Sequence, residues 1–253
     1  MRIASLSPAA TETLFALGCG KEIVCVDQFS NFPEEAKGIA HLKGHTDVNP
    51  EDLETHKPDI VFTATIIQEK LAKELRTAGF TVIHQDPRTL PTVTESIRAI
   101  GAILDREAAA KELILKNREG WNDVQKKAAF LPRKPRVYVE EWHDPPMVSG
   151  NWVPEVLRLA GALSFPIMPG ELSRAVSFED IQRFNPDLVV ISWCGAGSLG
   201  NPKLLTGRSG WRNLPAIQDG RVRVIDDSLL NRPGPRLLEG AQKIYGWLFE
   251  MMH

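Results

Sequence analysis

Asn49-Pro50-Glu51-Asp52-Leu53, followed by Lys57-Pro58-Asp59-Ile60-Val61, returns later in the chain as Ser177-Phe178-Glu179-Asp180-Ile181, followed by Asn185-Pro186-Asp187-Leu188-Val189. The offset is 128 residues at both ends, 177 minus 49 and 187 minus 59. An internal repeat therefore decides the fold before any short motif does. In each copy a helix-capping residue stands before an acidic first turn, where the positive end of a helix dipole favours negative charge. A Pro-Asp breaker then leads into an apolar run. Each copy reads as short helix, turn, buried strand.

Outward from the repeat the pattern continues. A helix over 68–78, Gly79 and a strand over 81–84 follow the first copy, and an apolar segment over 211–217, Gly220 and a strand over 222–225 follow the second. Short apolar strands alternating with helices predict an α/β protein with one mostly parallel sheet per half, covered on both faces. Between the halves, 99–129 is rich in Ala, Leu, Glu and Lys and contains no Pro. Its apolar positions, among them Ile103, Leu113, Trp121 and Val124, do not alternate, so one long spanning helix is expected, stiffer than a Gly/Ser linker. Leu131-Pro132-Arg133-Lys134-Pro135 breaks it, and the first strand of the second half is expected over 136–140.

With 253 residues, 43% hydrophobic and 25% charged, the chain has the composition of a globular protein and room for two lobes with a core each. A formal net charge of −2 without runs of Lys and Arg leaves no footprint for nucleic acid. No basic amphipathic stretch points to a membrane surface, so the expected partner is a small molecule or a protein, and the expected state is a monomer that is not membrane-embedded. Cys19, Cys25 and Cys194 form no CxxC pair, and Cys25 lies in the apolar run 23–26, where a buried free thiol is expected. Met1-Arg2-Ile3-Ala4 leads straight into a strand, with no signal-peptide pattern. That implies a cytoplasmic protein if Met1 is the native start, and a periplasmic or extracytoplasmic one if a leader precedes it.

In open α/β sheets ligands bind beyond the carboxyl ends of the strands, which directs attention to four loops. After the first strand, Ser7 is placed to cap a helix that Pro8 opens, and the backbone N–H groups there suit an anionic or carbonyl group; a plain cap is the simpler role. After 136–140 come Trp142, His143, Met147 and Trp152 in a Pro/Gly-rich loop, and Trp193 follows the repeat strand of the second half. Each Trp alone suits packing within its own lobe; together they suit a ligand with a large apolar face. Arg232 and Arg236, before the last helix, can hold carboxylate, phosphate or amide groups. His45, His84 and His143 lack metal-site spacing, but His45 can supply one axial ligand to a metal held in a macrocycle. No GxSxG or GxxxxGK[ST] is present; Gly195-Ala196-Gly197-Ser198-Leu199-Gly200 has GxGxxG spacing but lacks the following helix pattern of a dinucleotide site, and the acidic pairs Glu140-Glu141 and Asp226-Asp227 are expected to be solvated.

These segments resemble the helical-backbone (class III) substrate-binding proteins of ABC importers, in their cobalamin (vitamin B12)-binding branch. The carrying residues are 2–12, Asn49-Pro50-Glu51, Lys57-Pro58-Asp59, Asp144-Pro145-Pro146, 149–155 and Arg232-Pro233-Gly234-Pro235-Arg236, spread over nearly the whole chain. The resemblance implies two Rossmann-like lobes with mostly parallel sheets, joined by one long backbone helix, with boundaries at 1–103, 104–131 and 132–253. It implies non-catalytic binding of cobalamin or a related corrinoid in the inter-lobe cleft. Ser7, Pro8 and Ala9, with Phe29, His45, Trp142, Met147, Trp152, Trp193, Arg232 and Arg236, then line the ligand site. No catalytic residue and no catalytic cofactor is expected. Glu51 and Glu179 match the glutamates with which such proteins dock on arginines of a permease. One departure is His45, which stands where the enteric transport protein carries a tryptophan and keeps axial ligation open. Leaderless relatives beginning Met-Arg-Ile imply a cytosolic corrinoid carrier as a variant. The alternatives are a haem, siderophore or metal-ion receptor of the same fold, and a tetrapyrrole-modifying enzyme.

Overall fold

Both copies of the repeat fold alike, for reasons visible in their residues. In a computed structural model, which describes residues 1–253, Asn49 and Ser177 cap short helices by accepting N–H groups of Glu51 (3.0 Å) and Asp180 (3.1 Å). Lys57 and Asn185, again 128 apart, take left-handed φ angles of 45° and 48°, which turn the chain out of the helix ahead of the proline. The aspartate then clamps the start of the sheet. Arg2 N–H donates to Asp59 Oδ2 at 2.6 Å while Asp59 N–H donates back to Arg2 O at 2.8 Å. Arg136 and Asp187 exchange the same pair of bonds at 2.7 and 2.8 Å.

The chain divides into two compact units, Met1–Pro87 with Pro91–Lys116, and Arg88–Leu90 with Asn117–His253. The first contains β1 (Ile3–Ser5), α1 (Pro8–Ala16), β2 (Ile23–Asp27), β3 (Ala40–Leu42), α2 (Pro50–Thr55), β4 (Ile60–Ala64), α3 (Glu69–Thr77), β5 (Val82–Gln85), α4 (Leu90–Ile103) and the start of α5 (Glu107–Ala128). Its five strands run β3-β2-β1-β4-β5, every pair parallel. β4 is buried along its whole length, as a central strand covered on both faces must be. Leu6, Leu53, Val61, Leu71 and Leu75 form the centre of the core.

The helix expected over 99–129 is two helices. α4 ends at Ile103, Asp105 takes a φ of 54°, and α5 restarts at Glu107. Arg106 closes the corner, its N–H on Gly101 O at 2.7 Å and its guanidinium on the carbonyls of Leu104 and Asp105. Gly101 lets the two helices meet, since a Cβ there would lie 2.5 Å from the Ala110 methyl. The boundary between the units falls within α5.

The second unit continues with β6 (Arg136–His143), β7 (Pro146–Val148), α6 (Val153–Leu159), β8 (Leu163–Ser164), β9 (Arg174–Ala175), α7 (Phe178–Phe184), β10 (Leu188–Ile191), α8 (Pro202–Thr206), α9 (Pro215–Gln218), β11 (Val222–Val224) and α10 (Leu237–Met252). Its six-stranded sheet is ordered β11-β10-β6-β7-β9, with β8 also on β6. The pairs of β6 with β10 and of β10 with β11 are parallel, as β1–β4 and β4–β5 are, so the repeat extends to three strands. The expected loop after residue 140 is instead a hairpin: β6 runs on to His143 and β7 returns antiparallel, with Trp142 opposite Met147. Segment 211–217 is a short turn of 3₁₀-helix at Trp211–Asn213 followed by α9, not one helix. No helix is long and apolar enough to cross a membrane.

Candidate functional site

At the carboxyl ends of the first unit's strands, a chain of polar side chains runs from β1 to the loop after β3. Ser5 Oγ and Thr11 Oγ1 lie 2.8 Å apart, Thr11 and Ser30 hydroxyls 2.8 Å, and Ser30 Oγ donates to Asp27 Oδ1 at 2.5 Å. Asp27, the last residue of β2, is fully buried, and its Oδ2 meets His45 Nδ1 at 2.6 Å. Gln68 holds the same loop by donating to Leu6 O (2.5 Å) and His45 O (2.7 Å). Phe29 stands edge-to-face on His45 at 5.5 Å between centroids, 41% exposed. Ser7 occupies the N-cap position of α1 with Pro8 next, but its side chain makes no capping bond; its carbonyl accepts from Thr11 N–H and Thr11 Oγ1 instead. Ser7 and Ala9 are buried and Pro8 is half-buried. His84 stands apart, its Nδ1 3.0 Å from Thr63 Oγ1, and burial lowers its pKa.

In the second unit β6 also carries a buried acid. Glu140 accepts Arg208 Nη1 and Nη2 at 2.7 and 2.9 Å, Trp193 Nε1 at 2.9 Å and Tyr138 OH at 3.1 Å. Burial raises its pKa and the Arg208 bonds work against that rise. All four partners are donors, so the group is a carboxylate. Arg208 also donates to His143 O and lies 4.7 Å from the Trp211 ring centre. Glu141, whose pKa is raised by burial of its carboxyl, accepts Ser173 Oγ at 2.6 Å. Asp227 takes the N–H groups of Gly195 (2.9 Å) and Gly197 (2.7 Å), which explains the left-handed glycines of that loop. The acidic pairs expected to be solvated are therefore structural: both glutamates and Asp227 are engaged by their own unit.

The aromatic residues separate into two groups. His143 is tilted between Trp142 and Trp193, 5.6 and 5.0 Å from their ring centroids. Trp142 is 42% exposed, Met147 is half-buried, and Trp193 is buried with its N–H on Glu140. Trp152 is only 4% exposed and donates its indole N–H to Leu230 O at 2.6 Å, so it packs within its own unit. Arg232 and Arg236 are both half-buried, and Arg236 Nη1 reaches Ser228 Oγ at 3.3 Å. Their loop is tied to β10 through Asn231, which donates to Ser192 O at 2.7 Å and lies 3.2 Å from Cys194 Sγ. Cys194 is exposed as a residue while burial of its thiol raises its pKa; Cys25 is buried and pushed up to about 12 for the same reason. All three cysteines are free thiols. Glu51 and Glu179 are exposed in the first turns of α2 and α7.

The sequence profile of the periplasmic binding protein family matches residues 3–229. The chain belongs to that family. Members of that family are non-enzymatic solute binders. Among relatives, the chain is 29% identical over 96% of its length to an uncharacterized ABC transporter substrate-binding lipoprotein of Bacillus subtilis, covering 78% of it. It is 27% identical over 98% of its length to a vitamin B12-binding protein of Vibrio cholerae, covering 88% of it. A periplasmic haem-binding protein of Pseudomonas aeruginosa shares the fold, with a TM-score of 0.88 at 22% identity over 100% of this chain and 94% of that one. Asp27, Ser30, Gln68, Arg208 and Asn231 escaped the sequence reading, and Glu140 and Asp227 were read only as members of solvated acidic pairs. For two of them a signal existed: Asp27 and Glu140 are each an acid that follows an apolar strand run, 23–26 and 137–139.

Proposed function

We propose that this protein binds cobalamin or a related corrinoid reversibly and without chemical change, as the substrate-binding component of an ABC importer working outside the cytoplasmic membrane. The observation that carries the reading is the exposure of large rings at strand carboxyl ends, Phe29 at 41% and Trp142 at 42%. Such surface is costly to leave wet, and it suits a broad ring face. Met147 and His143 extend the platform around Trp142, Trp193 packs on His143, and Trp152 is assigned to the site by the family resemblance. Ser7, Pro8 and Ala9 at the start of α1, and Arg232 and Arg236 ahead of α10, are assigned to the polar periphery of the ligand. The similarity to the vitamin B12-binding protein of Vibrio cholerae, which runs through 98% of this chain, supports the same ligand class.

Isothermal titration of ligand-free protein with cyanocobalamin tests the assignment. One site per chain is expected, with Trp142→Ala weakening it by about tenfold, the equivalent of roughly 1.4 kcal/mol. Absence of heat and of co-elution would set the corrinoid aside in favour of another ligand of the family.

A further inference from the structure

His45 is held more elaborately than a surface histidine requires. A carboxylate only accepts hydrogen bonds, so the 2.6 Å contact of Asp27 Oδ2 with His45 Nδ1 places the proton on Nδ1. Gln68 Nε2 also lies 3.3 Å from Nδ1, but both of its hydrogens are spent on Leu6 O and His45 O, so it does not compete. In the neutral imidazole the lone pair is then on Nε2. That atom makes no hydrogen bond, and the side chain is 20% exposed, so Nε2 is open to a ligand. Behind it stands a fully buried carboxylate whose other oxygen is fixed by Ser30 and, through Ser30, by Thr11 and Ser5.

A carboxylate behind one imidazole nitrogen, with the other left free, is the arrangement that orients and strengthens a metal-ligating histidine. No group of three or more His, Cys, Asp or Glu gathers into a metal site. A single imidazole donor suits a metal whose equatorial positions are already filled by a ring. Phe29, edge-to-face on His45, offers apolar surface beside that donor.

We propose that His45 Nε2 is an axial ligand to the metal of a bound tetrapyrrole, with Asp27 as its positioning residue. This rests on the reading that the ligand is a metal-bearing tetrapyrrole, and it narrows that reading. Axial ligation by His45 adds to the affinity only for rings whose metal offers an exchangeable axial position, which a corrinoid without an intramolecular base and ferric haem both do, whereas cyanocobalamin binds through its ring face alone. The step is a ligand exchange: a metal–nitrogen bond forms, a metal–water bond breaks, water leaves, and no electron is transferred.

Diaquocobinamide is the probe, titrated into wild type, His45→Ala, His45→Gln and Asp27→Asn, each checked for folding by circular dichroism and thermal melting. Wild type is expected to shift the visible bands of the corrinoid, and the reduced cobalt(II) complex to show paramagnetic-resonance splitting from a coordinated nitrogen. Both signatures vanish in the two His45 variants, and added imidazole restores the band shift in His45→Ala. Asp27→Asn keeps the nitrogen signature but weakens binding by roughly 10- to 100-fold. Equal uptake with the same spectrum in wild type and folded His45→Ala overturns the axial ligand and leaves the corrinoid reading standing. Uptake of ferric haem alone, with a spectrum that depends on His45, supports the axial ligand and removes the corrinoid. Refusal of both rings by wild type overturns the inference together with the reading beneath it.

Discussion

A carboxylate with no exposed surface persists at Glu140 because four donors converge on its two oxygens. Removing one partner of such a pair costs far more than the pair contributes, since the remaining charge stays buried. Arg208→Ala is therefore expected to destabilise the protein by about 3–5 kcal/mol in urea unfolding at neutral pH. The sign of its pH dependence follows from Glu140, whose pKa burial already raises from 4.5 and which rises further once Arg208 is gone. A raised carboxyl pKa favours folding fully below the unfolded value and loses that contribution as pH climbs through the folded one. The deficit of Arg208→Ala should thus shrink as pH falls towards 4.5; a deficit independent of pH would show that Glu140 is not the group left uncompensated. The same residues mark where reading the sequence stops. Glu140 and Arg208 are 68 positions apart, and Asp27 and His45 are 18 apart. Nothing local in either pair announces a partner, whereas exposed rings such as Trp142 stood out because a connecting loop has no use for them.

At the level of elements, the repeated Pro-Asp explains why the two sheets start alike. Burial alone would raise the pKa of Asp187, but the two hydrogen bonds from Arg133, the N–H of Arg136 and the charges of both arginines hold it below 3.8. A depressed carboxylate contributes stability that is present above the unfolded pKa and lost as pH falls through the folded one. Asp187→Ala is expected to cost about 1–3 kcal/mol at neutral pH by leaving the half-buried Arg136 N–H unpaired, and Asp59→Ala less, since Asp59 and Arg2 are exposed. Thermal melting of the two variants ranks them, and equal losses would contradict the clamp. This helix–turn–strand unit was legible because cap, breaker and apolar run are all local. The β6–β7 hairpin was not, because Pro145 and Pro146 read as a loop and β7 is held by distant β9, Met147 opposite Ala175. The break between α4 and α5 was equally hidden: helix-favouring residues surround it, and it depends on Asp105 and on contact between Gly101 and Ala110.

For the molecule as a whole, duplication gives each unit one equivalent glutamate. Glu51 and Glu179 lie 128 residues apart, follow capping residues that hold their helices, and face solvent in both units. Neither is engaged in an ion pair, unlike the acids at the strand ends. Helix-dipole stabilisation accounts for acidic residues at these positions and contributes only a few tenths of a kcal/mol to about 1 kcal/mol. Docking on permease arginines, which the family reading assigns to the pair, makes a separate demand: the two charges act on the partner and not on the solute. Glu51→Ala with Glu179→Ala should then change stability by no more than about 0.5 kcal/mol for each surface substitution. Affinity for cyanocobalamin should stay at the wild-type value in titration. Association with a corrinoid permease reconstituted in nanodiscs should be lost in the double variant and weakened in each single one, more so at low salt where exposed charges are least screened. Retained association would reduce both glutamates to helix-capping chemistry, and lost cyanocobalamin affinity would move them into the solute site. The two measurements separate a surface that presents a ligand from one that holds it.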